Sequence, residues 1–547
     1  MAVGVFVRLY GLSGQIPLDD EWHSLNFVLD KSFWEVLATH GLGANCIPQN
    51  AIHWLMLHTI GWSEIALYLP SVFCGIAGLL VFPRLVSGLA GRTTAILFAW
   101  LLAISPCATF YSRIARPYAM VLFFGFLALL CLALWTRDGR RRQLVAYVLS
   151  GFVATYFHLY AAVPVLAPLA ALLFPALSRR KAPADAPWIC AKTLMLAGLA
   201  LASLLAIFLG PAHWQNPWWM QALAWDRVTA RGLWDFLSLL AGTGNFPGKL
   251  VFATLAGYGL RTWLGKEFRV GILWGSVWAA FSLLLIFATQ DGMHAGIQIA
   301  RYNIVLFPVA MLLAAYAAAN FLDRFPAAIR RMAGAVLVGG LVAASPLWRT
   351  YAQPNNFMHH SAFQDSYAPF DWSRSRPRLL RPQPQMSADR IHPFYAALAA
   401  NPAIGGIVEY PMYMGDSLNL HYFTQHVHGK PVVAGYVPDF PFDPLPSRND
   451  FICQTTPLDY VFSRARNLGL HKQMRFRNLL SITDRGRLSQ RHSGWLLVVH
   501  RDLLTETLNV RDRDAPVRPP AVLESSLAAA WGAPVFSDPW IAAWKIP

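Results

Sequence analysis

Ten long apolar runs crowd into the first 350 of 547 residues, and they limit the fold more than any other feature of the chain. They lie at 65–83, 94–111, 117–135, 143–158, 160–177, 192–210, 248–263, 270–288, 303–321 and 331–347. A helix needs about 20 mainly apolar residues to cross the bilayer hydrocarbon, with about 17 as a working minimum. In lipid the backbone must satisfy its own hydrogen bonds, so each run predicts a helix. The opening "MAVGVFVRLYGL" is too short to span and reads as a shortened first transmembrane helix, which makes about eleven. Composition agrees: 14% of residues are charged, against about 25% in a soluble chain. The expected architecture is a polytopic α-helical membrane domain, 1–350, a Pro- and Arg-rich linker, 351–384, and a soluble α/β domain, 385–547.

Charge sets the orientation. The loops assigned inside, from Arg84 to Arg331, hold 16 Lys and Arg, and the alternate loops with the N-terminal segment hold 8 over a greater length. The positive-inside rule then puts "LDDEWHS" and the C-terminal domain outside. In a bacterium this is a multi-pass inner-membrane protein with both facing the periplasm. The parity requires that 47–61 not cross. That stretch reads as a juxtamembrane helix in the interface, with Trp54 and two histidines at the water boundary. The net charge of +16 forms no basic, aromatic-interleaved face of the kind that binds nucleic acid. The six cysteines show no CxxC spacing, so neither a disulfide framework nor a zinc site is indicated.

With this topology the awkward polar residues gather on the outer side. They are Asp19, Asp20 and Glu21 in the first loop, Arg113, Arg116 and Tyr118 in "YSRIARPYAM", His158 and Tyr160 in "TYFHLY", and Arg301 and Tyr302 in "IARYNIVLFP". Ionisable groups at membrane depth are costly and point to function. Bland readings stand beside the sharp one: the acids as caps of the following helix, the arginines as snorkelling anchors, His158 as a hydrogen-bonded helix histidine. The sharp reading is sugar transfer from a lipid phosphate. That chemistry needs a carboxylate to take the acceptor's proton and cations to hold the departing phosphate, which arginine's planar fork suits.

These segments, in this order and spacing, resemble the GT-C glycosyltransferases. Within them the chain is most similar to the protein O-mannosyltransferase-like group, which includes the lipid A aminoarabinose transferases. The motifs that carry the likeness are "LDDEWHS", "LGANCIPQNAIHWLMLHTIG", "AISPCATFYSRIARPYAMVLFF", "ATYFHLYAAVP" and "ARYNIVLFPVAMLLAAY". The resemblance implies an inverting transfer from a polyprenyl-phosphate sugar to a hydroxyl acceptor borne by a lipid, glycan or protein. Asp20, with Glu21, would be catalytic. Arg113, Arg116 and Arg301 would hold the donor phosphate. Asp19, Tyr118, His158, Tyr160 and Tyr302 would line the substrate site. Some relatives bind a divalent cation near the first-loop acids, and the chain leaves that open. It departs from the pattern in its short first helix, the extra Asp19, and a single proline, Pro48, where relatives often have a pair.

In the C-terminal domain "GGIVEYPM", "PVVAGYV", "LDYVFS" and "WLLVVHRD" read as strands. "DRIHPFYAALAA" and "DSLNLHYFTQHV" read as helices, each opening on an Asp that can cap it. His426 and His428 have no suitably spaced third ligand and read as fold residues. Two rival functions remain: a transporter or flippase of lipid-linked sugars, and a non-catalytic membrane assembly protein.

Overall fold

The computed structural model describes residues 1–10, 12, 28, 31–39, 46–60, 64–177, 191–215, 230–243, 246–287, 296–344, 392–410, 428–430, 489, 492–501 and 520–547. The chain divides into two compact units, whose described residues fall almost wholly within 1–344 and 392–547. The 351–384 stretch and its expected linker lie outside the described residues, as do "PVVAGYV", "LDYVFS" and "DSLNLHYFTQHV".

The first unit is helical: α1 Ala2–Leu9, α2 Phe33–Ala38, α3 Ile47–Thr59, α4 Glu64–Ala90, α5 Arg92–Ala103, α6 Pro106–Tyr111, α7 Tyr118–Asp138 and α8 Arg141–Phe157. Then come α9 Ala162–Leu177, α10 Ala191–Gln215, α11 Ala230–Ala241, α12 Phe246–Lys266, α13 Phe268–Phe287, α14 Gly296–Tyr302, α15 Leu306–Leu322 and α16 Ala327–Ala344. Each predicted apolar run overlaps one or two of these helices, and the expected 47–61 helix is present as α3 over Ile47–Thr59. The run at 94–111 is not one helix but two. Ser105 accepts from the Ala108 amide at 3.2 Å and Pro106 takes the first helical position, so a new helix must start there.

The count of about eleven crossings is coarser in the structure. Among the described residues three helices are long and apolar enough to cross a membrane: Ile65–Ala90, Tyr118–Asp138 and Ala191–Ala212. The segments Arg92–Ala103, Leu159–Leu173, Gly232–Ala241 and Leu306–Leu322 are apolar but shorter. Helices α7 and α15 are buried along most of their length and form the core. Around them α4 packs on α5 and α7, α8 on α7, and α12 on α15.

At one end of this bundle the charges are exposed and paired. Arg137 meets Glu267 at 3.5 Å and donates to the Gly88 and Leu89 carbonyls, and Arg330 meets Asp323 at 3.0 Å. These residues belong to the loops that the sequence assigns to the inner side.

In the second unit, α17 Pro393–Ala399 precedes β1 Ile407–Tyr410 and β2 Leu496–His500; α18 Pro520–Trp531 precedes β3 Phe536–Ser537 and β4 Ile541–Lys545. The sheet order is β1-β2-β4-β3, with β1 parallel to β2 and the other pairs antiparallel. Tyr395, Leu398, Ile407, Leu496, Val498, Ile541 and Ala543 form its core. The predicted strands in "GGIVEYPM" and "WLLVVHRD" are β1 and β2. The cap of α17 differs from expectation. Helix α17 opens at Pro393, and His392, not Asp389, caps it by accepting from the Phe394 amide at 3.2 Å. His428 is buried, its ring stacked on Tyr395, which suits a fold residue.

Candidate functional site

Three helix breaks carry the site residues. Between α6 and α7, the segment Ser112–Pro117 is buried and non-helical; it holds Arg113 and Arg116, and Tyr118 opens α7 behind Pro117. At the second break His158 ends α8 with extended backbone, φ −160° and ψ 120°, and Tyr160 follows in a 3-10 turn. At the third, Arg301 and Tyr302 close α14, where the Asn303 side-chain amide donates to the Ile299 carbonyl at 2.9 Å. A side chain that serves the backbone in this way competes with the helical ladder and ends it.

The breaks meet in space. The Tyr118 ring centroid lies 6.0 Å from the guanidinium carbon of Arg116 and 6.0 Å from that of Arg301. The His158 ring lies 5.8 Å from Tyr118, 5.5 Å from Tyr160 and 5.6 Å from Tyr302. Tyr160 and Tyr302 are 5.0 Å apart, and Arg301 donates from Nη2 to the Tyr302 hydroxyl at 2.6 Å. Six residues singled out in the sequence, from three distant segments, thus form one cluster. Arg116, Tyr118 and His158 are buried at its base; Tyr160, Arg301 and Tyr302 are half-buried at its rim. The His158 Nδ1 accepts from the Tyr160 amide at 3.4 Å, so a neutral ring carries its proton on Nε2 and offers a donor there.

Arg113 is placed differently. Fully buried, it donates from Nη1 to the carbonyls of Val7 at 3.0 Å and Tyr10 at 2.7 Å, closing the C-terminal end of α1. Arg8, also buried, returns the contact. It reaches the Ser112 hydroxyl at 3.2 Å and the Leu102 and Ala103 carbonyls at the end of α5. Each cation sits where a helix dipole presents negative charge and unsatisfied carbonyls. Gly75 allows this approach, since a Cβ there would collide with the Ser112 hydroxyl.

No protein-family model matches the chain, and no curated protein matches it. Solved structures do. The crystal structure of ArnT from Cupriavidus metallidurans in the apo state is similar with a TM-score of 0.56 at 15% identity, covering 100% of this chain and 97% of that one. The chain has the ArnT fold. The same protein bound to undecaprenyl phosphate gives a TM-score of 0.54 at 13% identity, again over 100% and 97% of the two chains. ArnT is a GT-C protein, so the likeness bears out the GT-C-type fold that the sequence resembles.

Within this fold, Asp19, Asp20 and Glu21 lie outside the described residues, as do Trp218 and Trp219 of the loop after α10. Among the described residues no group of three or more His, Cys, Asp or Glu could hold a metal ion.

One expectation is corrected and one residue was missed. His53 is not at the water boundary. It is fully buried, and burial pushes its pKa down to about 4, with the nearby Arg116 charge adding to the fall and a Leu67 backbone hydrogen bond opposing it. Trp54 is half-buried and His58 exposed, their rings stacked at 3.8 Å. Tyr111, buried with its ring 5.0 Å from Tyr118, also belongs to the cluster. The signal for both was their register: His53 lies four residues after Gln49, and Tyr111 stands in the same motif as Arg116.

Proposed function

We propose that the chain is an integral-membrane inverting glycosyltransferase that moves a sugar from a polyprenyl-phosphate donor to a hydroxyl acceptor on the periplasmic side. The observation that carries this is the meeting of Arg116 and Arg301 about one tyrosine, with His158, Tyr160 and Tyr302 completing the wall. The ArnT fold, seen with undecaprenyl phosphate bound in that protein, supports the choice of ligand.

Asp20 takes the proton of the acceptor hydroxyl as its oxygen attacks the anomeric carbon in line. The bond from that carbon to the phosphate oxygen breaks, and polyprenyl phosphate leaves with the electron pair. Arg116 and Arg301 stabilise the charge that grows on the departing phosphate, in a site where burial strengthens each contact. The Nε2 proton of His158 is a further donor to it. In this reading Arg113, which donates to the Val7 and Tyr10 carbonyls at the end of α1, serves the fold.

The test is transfer of radiolabel from polyprenyl-phosphate monosaccharides to envelope extract by the full chain in vesicles. Wild type transfers label from one of the donors, and Asp20→Asn abolishes transfer. Label moved at the wild-type rate by Asp20→Asn removes the base from the mechanism. Lipid flipping without transfer makes the protein a transporter.

A further inference from the structure

Helix α3 buries the wrong residues for a helix lying at a membrane interface. Of its five buried side chains, Ile47, Gln49, Asn50, Ala51 and His53, three are polar. Leu55 and Ile60 beyond them are exposed. A polar face turned inward implies something polar to face. Gln49 shows that need most clearly. Its side chain is 1% exposed, and among the described residues neither its Nε2 nor its Oε1 has a hydrogen-bond partner. A buried amide atom left without a partner forfeits its hydration with no return.

The location is also informative. Gln49 and His53 are four residues apart on one helix face, and His53 is close enough to Arg116 for their charges to interact. Helix α3 packs against α8, which ends at His158, and against α4. The orphan amide therefore lies on the side of the cluster that α3 covers.

We infer that Gln49, flanked by Asn50 and His53, hydrogen-bonds the sugar ring of the lipid-phosphate donor. This deepens the proposed function and rests on it. The chemistry selects the ligand. A carboxamide offers one acceptor and two donor hydrogens side by side, which matches neighbouring ring hydroxyls, each both donor and acceptor. A phosphate oxygen only accepts and would leave Oε1 unpaired; a polyprenyl tail would leave both ends unpaired. A phosphate held by Arg116 adjoins both the sugar and the polyprenyl chain, and of these only the sugar can pair the amide.

The experiment uses the full chain in nanodiscs. Binding is measured for undecaprenyl phosphate alone and for undecaprenyl phosphate carrying glucose, mannose or arabinose, with wild type and with Gln49→Met, which keeps the unbranched shape without the amide. Gln49→Leu is the second variant should the first fold poorly. Wild type is expected to favour at least one glycosylated lipid over the bare one. Gln49→Met should lower that preference about tenfold and leave bare-lipid affinity unchanged. Its Tm in the absence of lipid should be equal or higher, because an unsatisfied amide has been removed.

A Gln49→Met chain that keeps the wild-type sugar preference overturns the inference. So does one that loses bare-lipid and glycosylated-lipid binding together with a lower Tm, which marks the amide as structural or as serving a buried water. A wild-type chain that binds undecaprenyl phosphate but favours no glycosylated form overturns it as well and leaves the phosphate site standing. Failure of wild type to bind any of the four lipids sinks the proposed function itself.

Discussion

Arg113 and Arg116 stand three residues apart in one buried segment and serve two different regions. Arg113 faces the brace, where its guanidinium and that of Arg8 each close a helix end through backbone carbonyls. Arg116 belongs to the cluster, where its guanidinium and that of Arg301 flank the Tyr118 ring, beside His158 and Tyr302. The brace ties the chain just before the first loop to the segment that carries Arg116. The cluster presents cations and rings at the meeting of three helix breaks. Two like charges in like burial thus have unlike consequences: removing one should cost the fold, and removing the other should cost the chemistry.

The largest effect is expected at the brace. Arg113→Ala leaves the buried Val7 carbonyl and the part-buried Tyr10 carbonyl without this donor and should destabilise the chain by about 3–5 kcal/mol, read as a fall in Tm or in folded yield. In the cluster, Arg116→Ala and Arg301→Ala should each lower transfer about 10²–10³-fold, with Tm close to wild type. A variant of Arg116 that unfolds while Arg113→Ala stays folded and inactive reverses the two assignments.

His53 sharpens the comparison through pH. Its pKa is about 4 in the folded chain against a reference of 6.5. The unfolded chain therefore binds a proton first as pH falls. Stability from the neutral buried ring is complete above pH 6.5, declines between 6.5 and about 4, and is flat below, a loss of roughly 3 kcal/mol. Denaturant midpoints across this range should show the decline in wild type and a shallower one in His53→Gln.

A smaller effect is expected for Tyr302→Phe. It removes the hydroxyl that accepts from Arg301 and should raise the donor KM about tenfold with little change in Tm. Smallest is Arg330→Ala at the opposite end, where the pair with Asp323 is exposed; the stability change should stay below about 1 kcal/mol.

Much of this arrangement was legible in the sequence. Apolar length gave the helices, and charge asymmetry gathered Arg116, His158 and Arg301 at one side, because both are properties of segments. The rest depends on side-chain direction. Nothing in "YSRIARPY" says that its first arginine reaches back to α1 while its second turns to Tyr118; that follows only once the turn before Pro117 is built. The break at Ser105–Pro106 was readable as a cap followed by proline, yet the apolar run on both sides hid it. His53 was read by its helix's place at the interface, and the register that buries it needs the neighbouring helices. In the C-terminal unit β1 and β2 showed as dense β-branched runs, whereas "IAAWK" of β4 owes its strand to pairing with β2.

The central claim is that the three breaks hold a lipid phosphate. Cryo-electron microscopy of the full chain in nanodiscs with undecaprenyl phosphate tests it most directly. The account predicts phosphate density within hydrogen-bond reach of both Arg116 and Arg301, with Arg113 still on the α1 carbonyls. Phosphate bound elsewhere, with the Arg116 and Arg301 side chains turned away from it, contradicts the account.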